Sequence, residues 1–167
     1  RDRIASLALE PALEAIALTS LIEAADRVDS TTGVQMAYLK QWAPRALKPL
    51  ELRVPEMLPG EGSASELDAR EAAGRFEADL AYLDPPYNQH SYLGNYHVWE
   101  SLVRWDKPDV YGVAMKRLDV RERGSAFNRR GSIGEALRGV LERLRARRVL
   151  VSFNDEGYLS LDEVRAM

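Results

Sequence analysis

The sequence predicts an α/β fold in which helices flank a parallel sheet, and three stretches of its second half carry that prediction. Residues 78–83 (ADLAYL) form a short apolar run of the kind that is typical of buried parallel strands. Residues 132–147 show the apolar spacing of a helix, and residues 148–153 (RVLVSF) read as a second strand. A strand, a long connection that contains a helix, and another strand indicate parallel strands joined by right-handed crossovers.

Capping residues support two of the helices. Ser160 and Glu163 have the Ser-x-x-Glu spacing of a capping box, which predicts that a helix begins at this point. Ser132 is a candidate N-cap for the helix over 132–147.

Three segments organise the chain. Residues 1–29 form a predicted helical segment, in which Pro11 is tolerated only near a helix start and favours two helices with a break at that point. Residues 30–63 contain four prolines and end in a glycine-containing loop, so they are predicted to be irregular. Residues 64–167 open with a short predicted helix over 64–73 and contain both predicted strands.

The composition excludes several classes of protein. With 167 residues, 46% of them apolar and 29% charged, the chain is typical of one globular domain. The absence of cysteine excludes disulfides and thiolate metal sites, and two histidines make a His-rich metal site unexpected. No apolar run is long enough to span a membrane, and the first residues do not resemble a signal peptide. We therefore expect a cytoplasmic protein without a metal site.

Residues 84–87, Asp-Pro-Pro-Tyr, follow the first predicted strand directly. Ligands of open parallel sheets bind beyond the carboxyl ends of the strands. Two prolines fix two φ angles and favour extended geometry before them, which predicts a stiff arm. The Asp84 carboxylate and the Pro85 carbonyl are placed to accept both N–H groups of an amine, and the Tyr87 ring to stack on a flat ligand. The alternative is a rigid turn with no chemical role.

A basic block lies within this otherwise acidic chain. Residues 116–148 contain eleven Lys/Arg and four Asp/Glu, whereas residues 1–115 contain eleven and eighteen. Such a local excess of positive charge is what phosphate binding requires. The arginines from Arg138 to Arg148 favour a solvated helix face instead.

Four arginines in the turn-rich part of the block are the candidate phosphate contacts: Arg121, Arg123, Arg129 and Arg130. The alternative is that nearby Asp119 and Glu122 pair with some of them and leave fewer free.

The run 82–100, YLDPPYNQHSYLGNYHVWE, resembles the DNA adenine methylases, which are N6-adenine-specific DNA methyltransferases. The likeness extends to residues 104–108 and 151–154 and back to parts of 31–40. It implies a partial Rossmann-like methyltransferase fold that uses S-adenosylmethionine as co-substrate and methylates a flipped-out adenine in double-stranded DNA. The family's motif maps onto four residues, of which the first two hold the target amine and the last stacks on the base: Asp84, Pro85, Pro86 and Tyr87.

The resemblance also implies an acidic residue shortly before the motif that binds the cofactor. Asp68 is the best match; Glu66 or Glu71 are alternatives, and so is a surface charge with no ligand. The family's Phe-x-Gly-x-Gly cofactor loop has no counterpart here, because Gly60 and Gly62 do not follow a strand. We expect this loop to lie before residue 1, so that the chain is truncated at both ends and binds S-adenosylmethionine poorly by itself.

Aromatic residues cluster after the motif. Tyr92 and Tyr96 are candidates for a lid over the flipped base, whereas Trp99 and Trp105 are expected to pack in a core. His97 is expected to be a hydrogen-bonded structural residue and not a catalyst.

Other polar residues have weaker assignments. Asn88 and Gln89 either read the base edge or are ordinary loop residues. The segment 30–63 occupies the place of a target-recognition insertion, and three of its cations are candidates for base reading: Lys40, Arg45 and Lys48.

Two alternatives to an adenine methylase remain at this point. One is an amine methyltransferase acting on RNA, on cytosine N4 or on a protein amide; those groups more often have Ser or Asn at the first motif position, so Asp84 favours adenine. The other is a non-catalytic DNA-binding fragment, which the missing glycine-rich loop suggests.

Overall fold

The computed structural model describes residues 1–37 and 39–167. The helices and strands, in chain order, are α1 (Asp2–Ser6), α2 (Pro11–Val28), α3 (Ala69–Arg75), β1 (Glu77–Leu83), α4 (Tyr92–Asn95), α5 (His97–Arg104), β2 (Val110–Tyr111), β3 (Lys116–Arg117), α6 (Ile133–Leu141), β4 (Arg145–Val151) and α7 (Leu161–Arg165). Short 3-10 turns cover Pro44–Leu47, Leu118–Arg121 and Ala126–Asn128. No helix among the described residues has the length and hydrophobicity needed to cross a bilayer.

The chain divides into two compact units. The first unit comprises Arg1–Gly60 and Tyr92–Glu122, and the second comprises Glu61–Ser91 and Arg123–Met167. Residues 30–63 therefore belong mainly to the first unit, and their role in target recognition stays a prediction.

The second unit contains the predicted parallel sheet. Strands β1 and β4 run parallel, with Leu83 opposite Val151. Helix α6 lies in the connection between them and contributes Ile133 and Leu137 to a core completed by Leu159. Leu83 packs against that core, which anchors the carboxyl end of β1. The α/β fold with a parallel sheet flanked by helices is confirmed.

The boundary between α6 and β4 differs from the prediction. The helix predicted over 132–147 ends at Leu141, and the strand predicted at 148–153 already begins at Arg145. The Arg145 guanidinium lies 3.1 Å from the Glu77 carboxylate on β1, so this part of the basic block pairs across the sheet. Closely spaced arginines suit a helix surface and a strand surface equally well, and only the partner strand decides between them.

The strands are more exposed than the sequence predicts. Leu80, Tyr82 and Leu150 expose 57%, 60% and 55% of their surface, although β1 was expected to be buried. The reason is that, within the described residues, this sheet has only two strands. Leu83 reaches the core, while alternate side chains on the strands project away from it.

Two helix starts follow from side-chain caps. Asp68 caps α3 by accepting a hydrogen bond from the Arg70 N–H at 2.9 Å, so the helix predicted over 64–73 begins later than expected. The capping box of α7 is confirmed, since Ser160 Oγ accepts from the Glu163 N–H and the Glu163 carboxylate accepts from the Ser160 N–H. The hydrogen bonds from Ser160 lower the pKa of Glu163.

In the first unit, the amino-terminal helical region breaks at Pro11, as predicted. Pro11 occupies the first turn of α2, and the Glu10 carboxylate accepts the N–H groups of Ala12 and Leu13. A proline is tolerated at this place because its missing N–H would have no helical partner.

A buried arginine organises the end of the same unit. Arg117 is only 2% exposed and makes a bidentate pair with Asp106, with both N···O distances at 2.7 Å. Its guanidinium also lies 3.0 Å from the Asp119 carboxylate. These hydrogen bonds raise the pKa of Arg117 above its ordinary value, and the bond from Arg117 lowers the pKa of Asp106.

His97 has the structural role that the sequence predicts. It is 2% exposed, and its two ring nitrogens lie 3.2 Å from the Gly94 carbonyl and 3.0 Å from the Ala114 carbonyl. Both nitrogens are thus engaged with backbone oxygens.

Arg45 is bound within the chain. Its guanidinium lies 2.9 Å from the Asp29 carboxylate and donates to the Thr31 carbonyl at 2.7 Å. Burial raises the pKa of Asp29, but hydrogen bonds from Thr31 and Arg45 outweigh this effect and lower it. Of the three cations suggested for base reading, Arg45 therefore stabilises a turn, whereas Lys40 and Lys48 are exposed.

Candidate active site

The Asp84–Tyr87 arm leaves the sheet where β1 ends. The Ser152 N–H donates to the Leu83 carbonyl at 2.8 Å, which is the last backbone bond between the strands before the arm departs. Asp84 is exposed, whereas Pro85 and Pro86 are half-buried. Within the described residues, the Asp84 carboxylate has neither a hydrogen bond nor an ion pair, so it is available to accept N–H groups from a ligand.

Tyr87 is held at the end of the arm. Its carbonyl accepts the Tyr158 N–H at 2.8 Å, and its ring meets the Phe153 ring edge-on, with centroids 6.2 Å apart at 64°. The chain also passes closely at Gly157, where an added Cβ would lie 3.1 Å from the Tyr87 Cβ. The backbone of Tyr87 is therefore fixed, and the residue is half-buried.

An apolar cleft of about 330 Å³ lies beside the arm. Its wall is formed by the arm, the end of β1, helix α6, the start of α3 and the turn around Ser125–Phe127. The residues that line it are Ala69, Tyr82, Leu83, Asp84, Pro85, Pro86, Ser125, Phe127, Leu137 and Val140. An apolar cleft with a carboxylate at its edge suits a flat ligand with a polar rim.

A second, larger cleft of about 680 Å³ lies near Asp68. It shares three lining residues with the first cleft, Ala69, Ser125 and Phe127, so the two are adjacent. Asp68 and Asp84 thus border two neighbouring clefts of the second unit that share part of their walls.

The three acidic candidates for cofactor binding have different surroundings. Glu66 lies 3.8 Å from Arg123, and Glu71 lies 3.9 Å from Arg75. Asp68 is exposed and uses one oxygen to cap α3. Its role in cofactor binding stays a prediction.

The candidate phosphate contacts are divided between the two units. Arg121 belongs to the first unit, where its guanidinium lies 4.0 Å from the centre of the Tyr111 ring. The second unit contains Arg123, which pairs with Glu66, Arg129, which is exposed, and Arg130, whose guanidinium lies 5.1 Å from the Tyr158 ring centre. Stacking on an aromatic ring leaves the N–H edge of a guanidinium able to donate. Asp119, suggested as a local partner for these arginines, pairs with Arg117.

The aromatic residues after the motif lie in the first unit. The rings of Tyr92 and Tyr96 are 6.5 Å apart, and both are exposed, at 47% and 39%. Trp99 and Trp105 are half-buried, and the Trp105 Nε1 donates to the Asp2 carboxylate at 2.7 Å. The lid role of the two tyrosines stays a prediction.

Two side chains that hold the loop immediately after the arm were not predicted from the sequence. Asn128 donates from its amide nitrogen to the carbonyls of Asn88 and His90, and the Tyr158 hydroxyl donates to the Gln89 side chain at 3.0 Å. Neither belongs to a recognisable motif, and both contacts join distant parts of the chain. Among the described residues, no cluster of His, Asp or Glu could hold a metal ion.

Comparisons with known proteins show the family to which the chain belongs. Residues 3–167 match the family model of D12 class N6 adenine-specific DNA methyltransferases. The modification methylase StsI of Streptococcus sanguinis is 32% identical over 149 residues, which cover 88% of this chain and 23% of that protein. The type II methyltransferase M.FokI of Planomicrobium okeanokoites is 32% identical over 152 residues, covering 90% and 23%, and M.NlaIII of Neisseria lactamica is 30% identical over 150 residues, covering 89% and 44%.

The chain thus spans about a quarter of the length of the first two relatives. No solved structure matches it. Since the family match covers nearly every residue, including the arm and both strands of the parallel sheet, the chain belongs to the D12 class N6 adenine-specific DNA methyltransferases.

Proposed function

We propose that the full-length protein transfers a methyl group from S-adenosylmethionine to the exocyclic amine of an adenine that is flipped out of duplex DNA. The observation that carries this proposal is the exposed Asp84 carboxylate at the carboxyl end of β1, which has no partner among the described residues and lies beside an apolar cleft. A base inside a duplex cannot reach such a cleft, so it must first leave the stack. The family match favours adenine over cytosine, RNA or a protein amide.

The arm's task is orientation. The Asp84 carboxylate and the Pro85 carbonyl accept the two N–H groups of the amine, which turns the nitrogen lone pair away from the ring and towards the methyl group. Tyr87 presents its ring face to the base. The nitrogen–carbon bond forms as the carbon–sulfur bond breaks, the sulfur keeps that electron pair, and one proton leaves the nitrogen. S-adenosylmethionine supplies an already activated methyl group, so orientation and electrostatics are sufficient.

The larger cleft suits the cofactor. Asp68 offers a carboxylate at its border, which is the kind of acceptor that an adenine amine needs, whereas Glu66 and Glu71 face cations. The shared wall of the two clefts supports a cofactor that extends from Asp68 towards Asp84. We therefore assign Asp68 to cofactor binding.

The rest of the assignment concerns DNA. We assign phosphate contacts to four arginines, namely Arg121, Arg123, Arg129 and Arg130. Residues 30–63 are assigned to target recognition. Relatives carry names of modification methylases and type II methyltransferases, which supports a role in a restriction–modification system.

The proposal is tested by tritium transfer from labelled S-adenosylmethionine to DNA. The full-length protein is compared with Asp84→Ala and with Asp79→Ala, which removes an exposed carboxylate from β1, the strand before the arm, where it pairs with Arg147 at 3.3 Å. We expect Asp84→Ala to abolish transfer while DNA affinity stays within a few-fold, because this carboxylate holds one amine and not the duplex. Asp79→Ala should behave like the wild type. If Asp84→Ala transfers at the wild-type rate, or if it fails to fold, then the arm is only a structural turn.

A further inference from the structure

The loop that follows the arm is fastened by one side-chain amide. The Asn128 Nδ2 donates to the Asn88 carbonyl at 2.8 Å and to the His90 carbonyl at 3.1 Å. Residues 84–91 contain no helix or strand, and the His90 N–H donates to the Asn88 side chain at 2.9 Å within the segment, so the bonds from Asn128 add the link to the rest of the unit. A single amide thus fixes two carbonyls immediately beyond the catalytic motif.

The backbone of Asn128 is held in place by a short capped turn. It ends the 3-10 turn Ala126–Asn128, which the Ser125 hydroxyl caps by accepting the Phe127 N–H at 3.2 Å. The Asn128 N–H donates to the Ser125 carbonyl at 3.2 Å. The side chain is half-buried, so little conformational entropy remains to be lost when it reaches the loop.

Tyr158 also makes hydrogen bonds to this segment. Its backbone N–H donates to the Tyr87 carbonyl at 2.8 Å, and its hydroxyl donates to Gln89 Oε1 at 3.0 Å. Gly157 allows this approach, because a Cβ there would lie 3.1 Å from the Tyr87 Cβ. Asn128 and Tyr158 therefore bond alternate residues of the segment 87–90.

We propose that Asn128 is a positioning residue for methyl transfer: it holds the backbone of Asn88–His90 so that Tyr87 keeps its orientation towards the base. This inference rests on the proposed function. Asn128 acts through the arm and need not touch the base or the cofactor. Misplacement of reacting groups by a fraction of their contact distance lowers catalytic rates on the order of 10- to 100-fold.

The test uses the full-length protein with Asn128→Asp, which keeps the size of the side chain but removes both N–H donors and sets a carboxylate against two carbonyls. The control is Asn95→Asp, since within the described residues the Asn95 side chain makes no hydrogen bond. We expect Asn128→Asp to speed amide hydrogen exchange in the peptide covering 84–91 and to lower the single-turnover methyl-transfer rate roughly 10- to 100-fold. The KM for DNA and the melting temperature should stay close to those of the control.

If Asn128→Asp changes neither the amide hydrogen exchange of residues 84–91 nor the methyl-transfer rate, the inference is overturned. It is also overturned if the loss of rate is accounted for by weaker DNA binding and a lower melting temperature. If Asn128→Asp does not fold, Tyr158→Phe tests the same fastening, because it removes only the hydroxyl bond to Gln89; it should loosen the same peptide and slow transfer by a smaller factor. A wild-type protein that methylates no adenine overturns the proposed function together with this role. If the wild type is active and both Asn128→Asp and Tyr158→Phe transfer methyl groups at the same rate as the wild type, only the positioning role is overturned.

Discussion

Tyr87 is half-buried and its backbone is fixed. Its carbonyl accepts a hydrogen bond from the Tyr158 N–H, and the Phe153 ring supports its ring edge-on. A base that stacks on Tyr87 would therefore meet a ring whose position is already set, so that stacking costs little ordering of the protein.

Two variants of Tyr87 separate its ring from its hydroxyl. Tyr87→Phe keeps the stacking face, and we expect it to retain most activity. Tyr87→Ala should lose most activity, since stacking of a base on an aromatic ring contributes roughly 1–3 kcal/mol. Steady-state rates on one DNA substrate measure both. Equal and complete loss in both variants would assign the role to the hydroxyl and contradict stacking.

At the scale of elements, the basic block has at least two kinds of residue. Arg145 belongs to β4 and pairs with Glu77 across the sheet, whereas Arg129 and Arg130 are exposed just before α6, in the unit that contains the arm. Within the described residues Arg129 and Arg130 make no ion pair, so theirs are the charges of the block that we propose to contact DNA phosphates.

Neutralising Arg129 and Arg130 together should weaken binding to every DNA sequence about equally. The slope of log affinity against log salt should fall by roughly 0.9 for each phosphate contact removed, because fewer counterions are released. Target choice should not change, since phosphates carry no sequence information. The measurement is a salt titration of DNA affinity.

The matched control for that titration is the double neutralisation of Arg138 and Arg143, which are also exposed. It should leave the slope unchanged. A slope that is the same in wild type and in the Arg129/Arg130 variant would leave DNA anchoring to other parts of the protein.

Local patterns were sufficient to predict several elements. The apolar run before Asp84 predicted β1, and the Ser160–Glu163 spacing predicted the start of α7, because the determinants of each lie within a few residues. The predicted end of α6 was wrong, because Arg145 pairs with the strand β1 and takes a strand conformation.

The arm's supports were not predictable in the same way. Asn128 reaches back 40 residues to Asn88, and the Tyr158 hydroxyl reaches back 69 residues to Gln89. No spacing rule relates such positions before the chain has folded. The motif residues themselves were recognisable because the chemistry of Asp84–Tyr87 is contained in four consecutive residues.

At the scale of the whole molecule, the two compact units differ in how they are held. The second unit has an apolar core around α6, whereas the first unit contains the ion pair between the buried Arg117 and the exposed Asp106. All three tryptophans, at positions 42, 99 and 105, belong to the first unit, so tryptophan fluorescence reports the unfolding of that unit.

The ion pair predicts acid sensitivity of the first unit. Because Arg117 lowers the pKa of Asp106 in the folded state, the stabilisation is complete above the unfolded pKa of about 3.9 and is lost as pH falls through the lower folded value. Asp106→Asn should therefore lower the midpoint of urea unfolding at pH 7. Between neutral and acidic pH, the midpoint should also fall less in this variant than in the wild type. Asp155→Asn, an equal change of net charge at an exposed turn in the other unit, is the control. A pH dependence in Asp106→Asn as steep as in the wild type would contradict a stabilising role for the pair.

The central claim is that the arm presents the exocyclic amine of adenine for methylation. The most direct test is to incubate DNA with the full-length protein and S-adenosylmethionine, digest it to nucleosides and identify the methylated product by mass spectrometry. We predict N6-methyldeoxyadenosine from the wild type and none from Asp84→Ala. N4-methyldeoxycytidine as the product, or N6-methyldeoxyadenosine formed equally by Asp84→Ala, would contradict the account.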